Sequence, residues 1–136
     1  MKTLAEITTA HSFAVLDHLE AEAQVPVLSG LQAQGDLFVI PCDSRHAADS
    51  ATQVPAAGIA VIEAISGGHE HRLFAGTPAT AWWTPAAGGS QDIGTLECTG
   101  PAYLLHPEHG ATGIAPGAYI FRRQREQADA ERLVAD

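Results

Sequence analysis

The close spacing of turn-forming residues is the feature of this sequence that most limits its fold. Thirteen glycines and eight prolines are spread over 136 residues, which leaves few stretches long enough for a helix. Between them lie short runs rich in β-branched and aromatic residues, such as residues 37–40 and 80–84. Runs of this kind, bounded by turns, are typical of β-strands. The sequence therefore predicts a mainly β fold, either a small barrel or a sandwich of about seven short strands.

The two ends of the chain depart from this pattern. Phe13, Leu16 and Leu19 recur near helical spacing, which predicts a helix over residues 8–24 that ends before Pro26. Residues 124–136 are polar and predict a short C-terminal helix. We therefore expect an N-terminal helical extension over residues 1–34 and a single β-rich domain over residues 35–136, a length sufficient for a core.

The charge and the cysteines of the chain exclude several classes of partner and indicate a compartment. Seven basic residues stand against sixteen acidic ones, a net charge of −9, and such a surface repels nucleic acids and anionic membranes. No apolar run approaches the roughly 20 residues of a membrane span, and the first residues lack the apolar core of a signal peptide. Cys42 and Cys98 are single and far apart, as expected of reduced thiols in a cytoplasmic protein.

Four of the seven histidines form two tight pairs. On a strand, His69 and His71 would share one face, with Cα atoms roughly 6.6 Å apart. The second pair, His106 and His109, encloses two residues of which the first is proline, and the ends of such a turn lie within about 7 Å. Because each spacing allows two imidazoles to reach one ion, the sequence predicts a divalent transition-metal site built from all four histidines, or from three of them together with Glu108. Zn²⁺ is the first expectation, with Fe, Ni, Mn and Cu as alternatives.

Three functions are compatible with these residues. The leading hypothesis is a metal- or ligand-binding β-domain. The second is a metal-dependent enzyme with an open coordination position, in which Glu108 acts as acid or base. The third is a protein-interaction module that uses Trp82, Trp83 and the N-terminal helix, with the histidines incidental. On a strand the two tryptophans lie on opposite faces, and an exposed tryptophan predicts a homo-oligomer.

Basic residues are concentrated near the C-terminal end of the sequence, where four of the seven lie within residues 122–132. In an acidic chain such a cluster can form an anion site, with Arg123 and Arg125 on one strand face for a small carboxylate or phosphate ligand. The general behaviour of charge runs favours the alternative, a solvated edge strand whose arginines pair with neighbouring acidic residues.

Four segments together resemble an uncharacterised group of small bacterial β-rich proteins. The elements of that group are GD-strand-IP, G-H-x-H, H-x-E-H and G-x-Y…RQRE, which match residues 35–41, 68–71, 106–109 and 117–126. The resemblance implies that the histidine pairs and the arginine segment act as one unit, and it implies no reaction. This chain departs from the group at Gln127, where tyrosine is common. The H-x-H element also resembles that of cupin barrels, but the acidic residue that should follow it is absent from residues 72–76.

Overall fold

A computed structural model of the chain describes residues 1–17, 19–43, 51–62, 69–86 and 92–123. Within these ranges the fold is mainly β, as the turn spacing predicts, with three sheets and one helix. The first elements are β1 Lys2–Thr3, α1 Leu4–His11, β2 Gln24–Val25, β3 Val27–Leu28, β4 Gln32–Gln34, β5 Leu37–Cys42 and β6 Thr52–Gln53. They are followed by β7 Ile59–Ile62, β8 His71–Ala75, β9 Ala81–Pro85, β10 Asp92–Cys98, β11 Ala102–His106, β12 Gly110–Ile114 and β13 Gly117–Arg123.

Two large sheets contain most of the strands. The six-stranded sheet has the order β4-β5-β13-β10-β9-β6 and the five-stranded sheet the order β3-β12-β11-β8-β7, while β1 and β2 form a ribbon of their own. All neighbouring strands in the large sheets are antiparallel except the parallel pair β3 and β12. Each large sheet has two edge strands, so the strands of the described ranges do not form a closed barrel.

The two large sheets pack against each other through one apolar core. Leu37, Leu96 and Phe121 of the six-stranded sheet are fully buried in the same cluster as Leu73 and Leu104 of the five-stranded sheet. Because side chains alternate along a strand, the residues next to Leu73 and Leu104 face the outside of the five-stranded sheet. This alternation determines which side chains of β8 and β11 reach the space between the sheets.

The N-terminal helix is shorter than the sequence suggests and begins earlier. It starts at a capping box in which Thr3 and Glu6 bond each other's backbone N–H, and it ends at His11 because the C-cap residue, Ser12, has a left-handed φ of 52°. The predicted helix over residues 8–24 was therefore wrong in its bounds. Phe13 and Leu19 instead pack with the helix on the outer face of the five-stranded sheet, so their spacing reflects burial rather than helical continuation.

Other sequence predictions have mixed outcomes. Residues 1–34 also contain β1 to β4, two of which join the large sheets, and the predicted C-terminal helix lies outside the described residues.

Trp83 is 7% exposed in the core whereas Trp82 is half-buried on the opposite face, as strand alternation predicts. The homo-oligomer stays a prediction. No helix in the described part of the chain is both long and apolar enough to cross a membrane.

Strand β12 has no clear strand signal in the sequence, because small residues dominate it. A Cβ at Gly113 would overlap the carbonyl oxygen of Pro26 and lie 3.1 Å from the Cα of Val27. Glycine is therefore required at this position by the close approach of β3, and strand propensity does not reveal the element.

Gly94, beside an irregularity in β10, gives a test of this packing. A Cβ there would overlap the ring of Trp83 and lie 2.7 Å from the carbonyl oxygen of Thr84. We predict that Gly94→Ala lowers the free energy of unfolding by about 1–3 kcal/mol, the usual cost of overpacking, as measured by chemical denaturation. Gly30→Ala is the matched control, because a Cβ at Gly30 meets nothing within 4 Å. Equal losses in the two variants would contradict the packing described.

Candidate functional site

Two of the predicted histidines are neighbours across adjacent strands. His71 is the first residue of β8 and His106 the last of β11, and the register pairs Leu105 with Arg72. Both histidines alternate in phase with core leucines, so they point between the two sheets at one end. Their ring centroids are 4.4 Å apart, and the residues are only 4% and 5% exposed.

The other two histidines lie at the exposed rim above this buried pair. The ring of His106 is 5.8 Å from that of His69 and 4.5 Å from that of His109, centroid to centroid. His69 precedes β8 instead of lying on it, and His109 belongs to the turn between β11 and β12. The structure therefore brings all four predicted imidazoles together. We call these four residues the histidine cluster.

A buried glutamine fixes the protonation of His71. Gln34 of β4 is 3% exposed, and its amide nitrogen donates to the carbonyl oxygen of Leu104 at 2.7 Å and to the hydroxyl of Thr112 at 3.1 Å. A carbonyl oxygen can only accept a hydrogen bond, so the amide oxygen of Gln34 faces Nδ1 of His71, at 2.9 Å. Nδ1 of His71 must then carry the proton, which leaves a lone pair on Nε2.

The neighbouring His106 has the opposite tautomer. The backbone N–H groups of Glu108 and His109 donate to Nδ1 of His106 at 3.0 and 3.2 Å. Nδ1 is therefore unprotonated, and the proton of the neutral ring lies on Nε2. The two buried rings thus present an acceptor, His71 Nε2, and a donor, His106 Nε2–H.

Burial keeps both rings neutral near pH 7. It lowers the pKa of His71 from its ordinary 6.5 to about 4, assisted by the positive charge that His106 would carry and opposed by the carboxylate of Asp36. Burial also lowers the pKa of His106, again with a contribution from a neighbouring histidine, His109. Neutral imidazoles offer lone pairs or N–H groups without adding positive charge to the site.

Carboxylates occupy the rim of the histidine cluster. Oδ1 of Asp36 lies 3.8 Å from Nε2 of His71, and its Oδ2 lies 4.0 Å from Nε of Arg123. Oε1 of Glu108 lies 3.5 Å from Nε2 of His69. The guanidinium of Arg123 is therefore beside the cluster, with the side chain of Asp36 between them.

The other two arginines near this end of the chain do not reach the cluster in the described structure. Arg125, the second predicted anion ligand, lies outside the described residues. Arg122 points away from the cluster, since its Nε donates to Oδ1 of Asp92 at 2.7 Å. Of the arginines whose positions are described, Arg123 is the one that a ligand at the cluster could contact.

Sequence reasoning missed Gln34 and Asp36. Both flank Gly35, whose φ of +62° makes the turn between β4 and β5, and a Cβ at Gly35 would lie 2.9 Å from Nε2 of His109. The Gly-Asp dipeptide signalled a turn but not a site, and a lone glutamine gives no sign of burial. Among the described residues, no three His, Cys, Asp or Glu side chains are already arranged to hold a metal ion.

Comparison with known proteins identifies a family whose function is not known. A family model described as "Domain of unknown function (DUF8820)" matches residues 33–124. This span contains every side chain of the site described above. No curated protein and no solved structure matches the chain.

The lowered pKa of His71 predicts a pH dependence of stability in metal-free protein. Between pH 6.5 and about 4 the unfolded chain binds a proton at this residue and the folded chain does not, so stability falls as the pH falls. We expect His71 to contribute up to about 3 kcal/mol of this loss. Chemical denaturation across this range, with EDTA present, measures it.

The matched variant is His71→Asn, whose amide N–H can replace Nδ1–H as the donor to Gln34 but does not titrate. It should lose less stability on acidification than the wild type. Identical slopes in the two proteins would show that His71 is not held neutral by burial.

Proposed function

The chain belongs to the DUF8820 family, a domain of unknown function, and we propose that its histidine cluster binds a divalent transition-metal ion, with Zn²⁺ the first candidate. The observation that carries this proposal is the convergence of four imidazoles at the open end between the sheets, two of them buried and neutral. Imidazole nitrogen is a preferred ligand of Zn²⁺ and of the neighbouring transition metals.

The tautomers narrow the ligand set from four imidazoles to three. His71 offers the lone pair of Nε2, and its Nδ1–H bond to Gln34 is the outer contact that orients histidine ligands in metal sites. His106 presents Nε2–H, so it would serve as a hydrogen-bond donor to whatever the ion binds. We therefore assign His69, His71 and His109 as ligands and His106 as the donor beside them.

The charge around the cluster favours a cation. Asp36 and Glu108 lie at its rim, and the whole chain has a net charge of −9. A bound ion would draw the imidazoles closer than they stand, which the exposed side chains of His69 and His109 can accommodate by rotation. A divalent ion would supply a Lewis acid at the open end of the site.

Two finer roles follow as part of the same proposal. Arg123 would contact a small carboxylate or phosphate bound at the cluster. This ligand would compete with Asp36, whose Oδ2 lies 4.0 Å from Nε of Arg123.

A metal-dependent enzyme is the second candidate function, favoured by the position of Glu108 beside His69, where a carboxylate can act as acid or base. Glu108→Gln in the metal-loaded protein should then abolish turnover without loss of bound metal.

The same substitution, histidine to asparagine, made separately at His71 and at His106 tests the ligand assignment. His71→Asn keeps the hydrogen bond to Gln34 but removes the metal-binding nitrogen, and we expect Zn²⁺ affinity to fall by roughly a hundredfold or more. In His106→Asn the amide oxygen can still accept the backbone N–H groups, and we expect a loss within about tenfold, as for an outer contact. Isothermal titration with Zn²⁺ measures both.

Elemental analysis of protein purified without a histidine tag is a direct test of the proposal, and we expect it to find stoichiometric metal. Zn²⁺ should also raise the melting temperature at pH 7.5, and this stabilisation should fade on acidification because the ligands must be neutral. His11→Gln, remote from the cluster, should bind Zn²⁺ like the wild type. Equal losses in the two asparagine variants would favour a four-imidazole site, and no metal in any preparation would remove the proposal.

A further inference from the structure

The turn between β4 and β5 lies directly against two of the proposed metal ligands. A Cβ at Gly35 would lie 2.9 Å from Nε2 of His109 and 3.6 Å from Cε1 of His71. Gly35 has a left-handed φ of +62°, a conformation that glycine adopts without steric cost, so the backbone passes close to both rings. The next residue of the turn, Asp36, is thereby placed at the open end of the histidine cluster.

The carboxylate of Asp36 stands at nearly the right distance to share an ion with His71. The bond between Nδ1–H of His71 and Gln34 leaves the lone pair of Nε2 for an ion, and Oδ1 of Asp36 lies 3.8 Å from that nitrogen. Two ligands of a tetrahedral Zn²⁺ ion, each bound at about 2.0–2.2 Å, are roughly 3.3–3.6 Å apart. Because the Asp36 side chain is 60% exposed, it is free to rotate through the small difference.

The other oxygen of the same carboxylate faces a cation. Oδ2 of Asp36 lies 4.0 Å from Nε of Arg123, and both side chains are largely exposed. An ion pair that is this long and this exposed contributes little to stability. The guanidinium can therefore exchange this carboxylate for one from solution, or for a phosphate, at little cost.

We propose that Asp36 is an exchangeable fourth ligand of the bound ion, and that a small carboxylate or phosphate replaces it there. This inference rests on the proposed metal site. In the absence of the anion, the three ligand histidines and Asp36 complete a tetrahedral shell. An arriving anion binds the guanidinium of Arg123 and takes the position of the Asp36 carboxylate on the ion, and the carboxylate turns into solvent. Asp36 thus strengthens metal binding and opposes anion binding.

Asp36→Asn tests this exchange, because it should change two affinities in opposite directions. In isothermal titration of metal-free protein, Zn²⁺ should bind at least about tenfold more weakly than to the wild type, since even outer contacts cost that much. Inorganic phosphate, titrated into protein holding one equivalent of Zn²⁺, should bind at least about tenfold more tightly, because a like charge about 4 Å away has been removed.

Asp43→Asn is the matched control. Asp43 is exposed and follows the opposite end of β5 from Asp36, roughly 20 Å along the strand. It removes the same charge away from the cluster and should leave both affinities as in the wild type. Equal effects of the two variants would mean that only the net charge matters, and would overturn the proposal.

A crystal structure of the zinc-loaded wild type separates ligation from a field effect of the carboxylate. We expect an oxygen of Asp36 at about 2.0–2.2 Å from the ion, whereas a water molecule in that position would overturn the proposal. If Asp36→Asn binds Zn²⁺ as tightly as the wild type, this inference fails and the metal site stands. If the wild type itself binds no Zn²⁺, both are overturned.

Discussion

The hydrogen bonds of Gln34 are the interaction on which the rest of this structure depends. One buried amide spans the two large sheets, since it belongs to β4 and bonds His71, Leu104 and Thr112 of the five-stranded sheet. A buried polar group is stable only when its partners are present, so this amide requires the two sheets to meet at one spacing. The same three bonds determine which nitrogen of His71 carries a proton, and they therefore couple architecture to chemistry.

The two buried imidazoles show how backbone geometry can assign different chemistry to identical side chains. His71 faces an acceptor and keeps its proton on Nδ1, whereas His106 faces two backbone donors and keeps its proton on Nε2. Their neutrality follows from burial and from the repulsion that a charged neighbouring histidine exerts, chiefly His106 on His71 and His109 on His106. The site thus combines a lone pair and a donor within a few ångströms, surrounded by exposed histidines and carboxylates.

Much of this could be predicted from the sequence, because it depends on local patterns. Turn residues between apolar runs indicated the β fold, and the spacing within each histidine pair indicated that its two imidazoles could reach one point. The bounds of the helix could not be predicted, because Phe13 and Leu19 are buried against a sheet whose strands come from later parts of the chain. The roles of Gln34 and Asp36 depend on contacts between distant strands, and the tautomer of His106 depends on two backbone N–H groups that no composition records.

Strand β8 and the two residues before it present different side chains to the two faces of the five-stranded sheet. His69 and His71 contribute to the histidine cluster, whereas Glu70 and Arg72 line an open cleft on the opposite face. Inserting or deleting one residue between His71 and Phe74 would exchange these faces, bringing a guanidinium between the sheets and an imidazole into the cleft. The length of this segment therefore determines which chemical groups reach the histidine cluster, just as the identity of its side chains does.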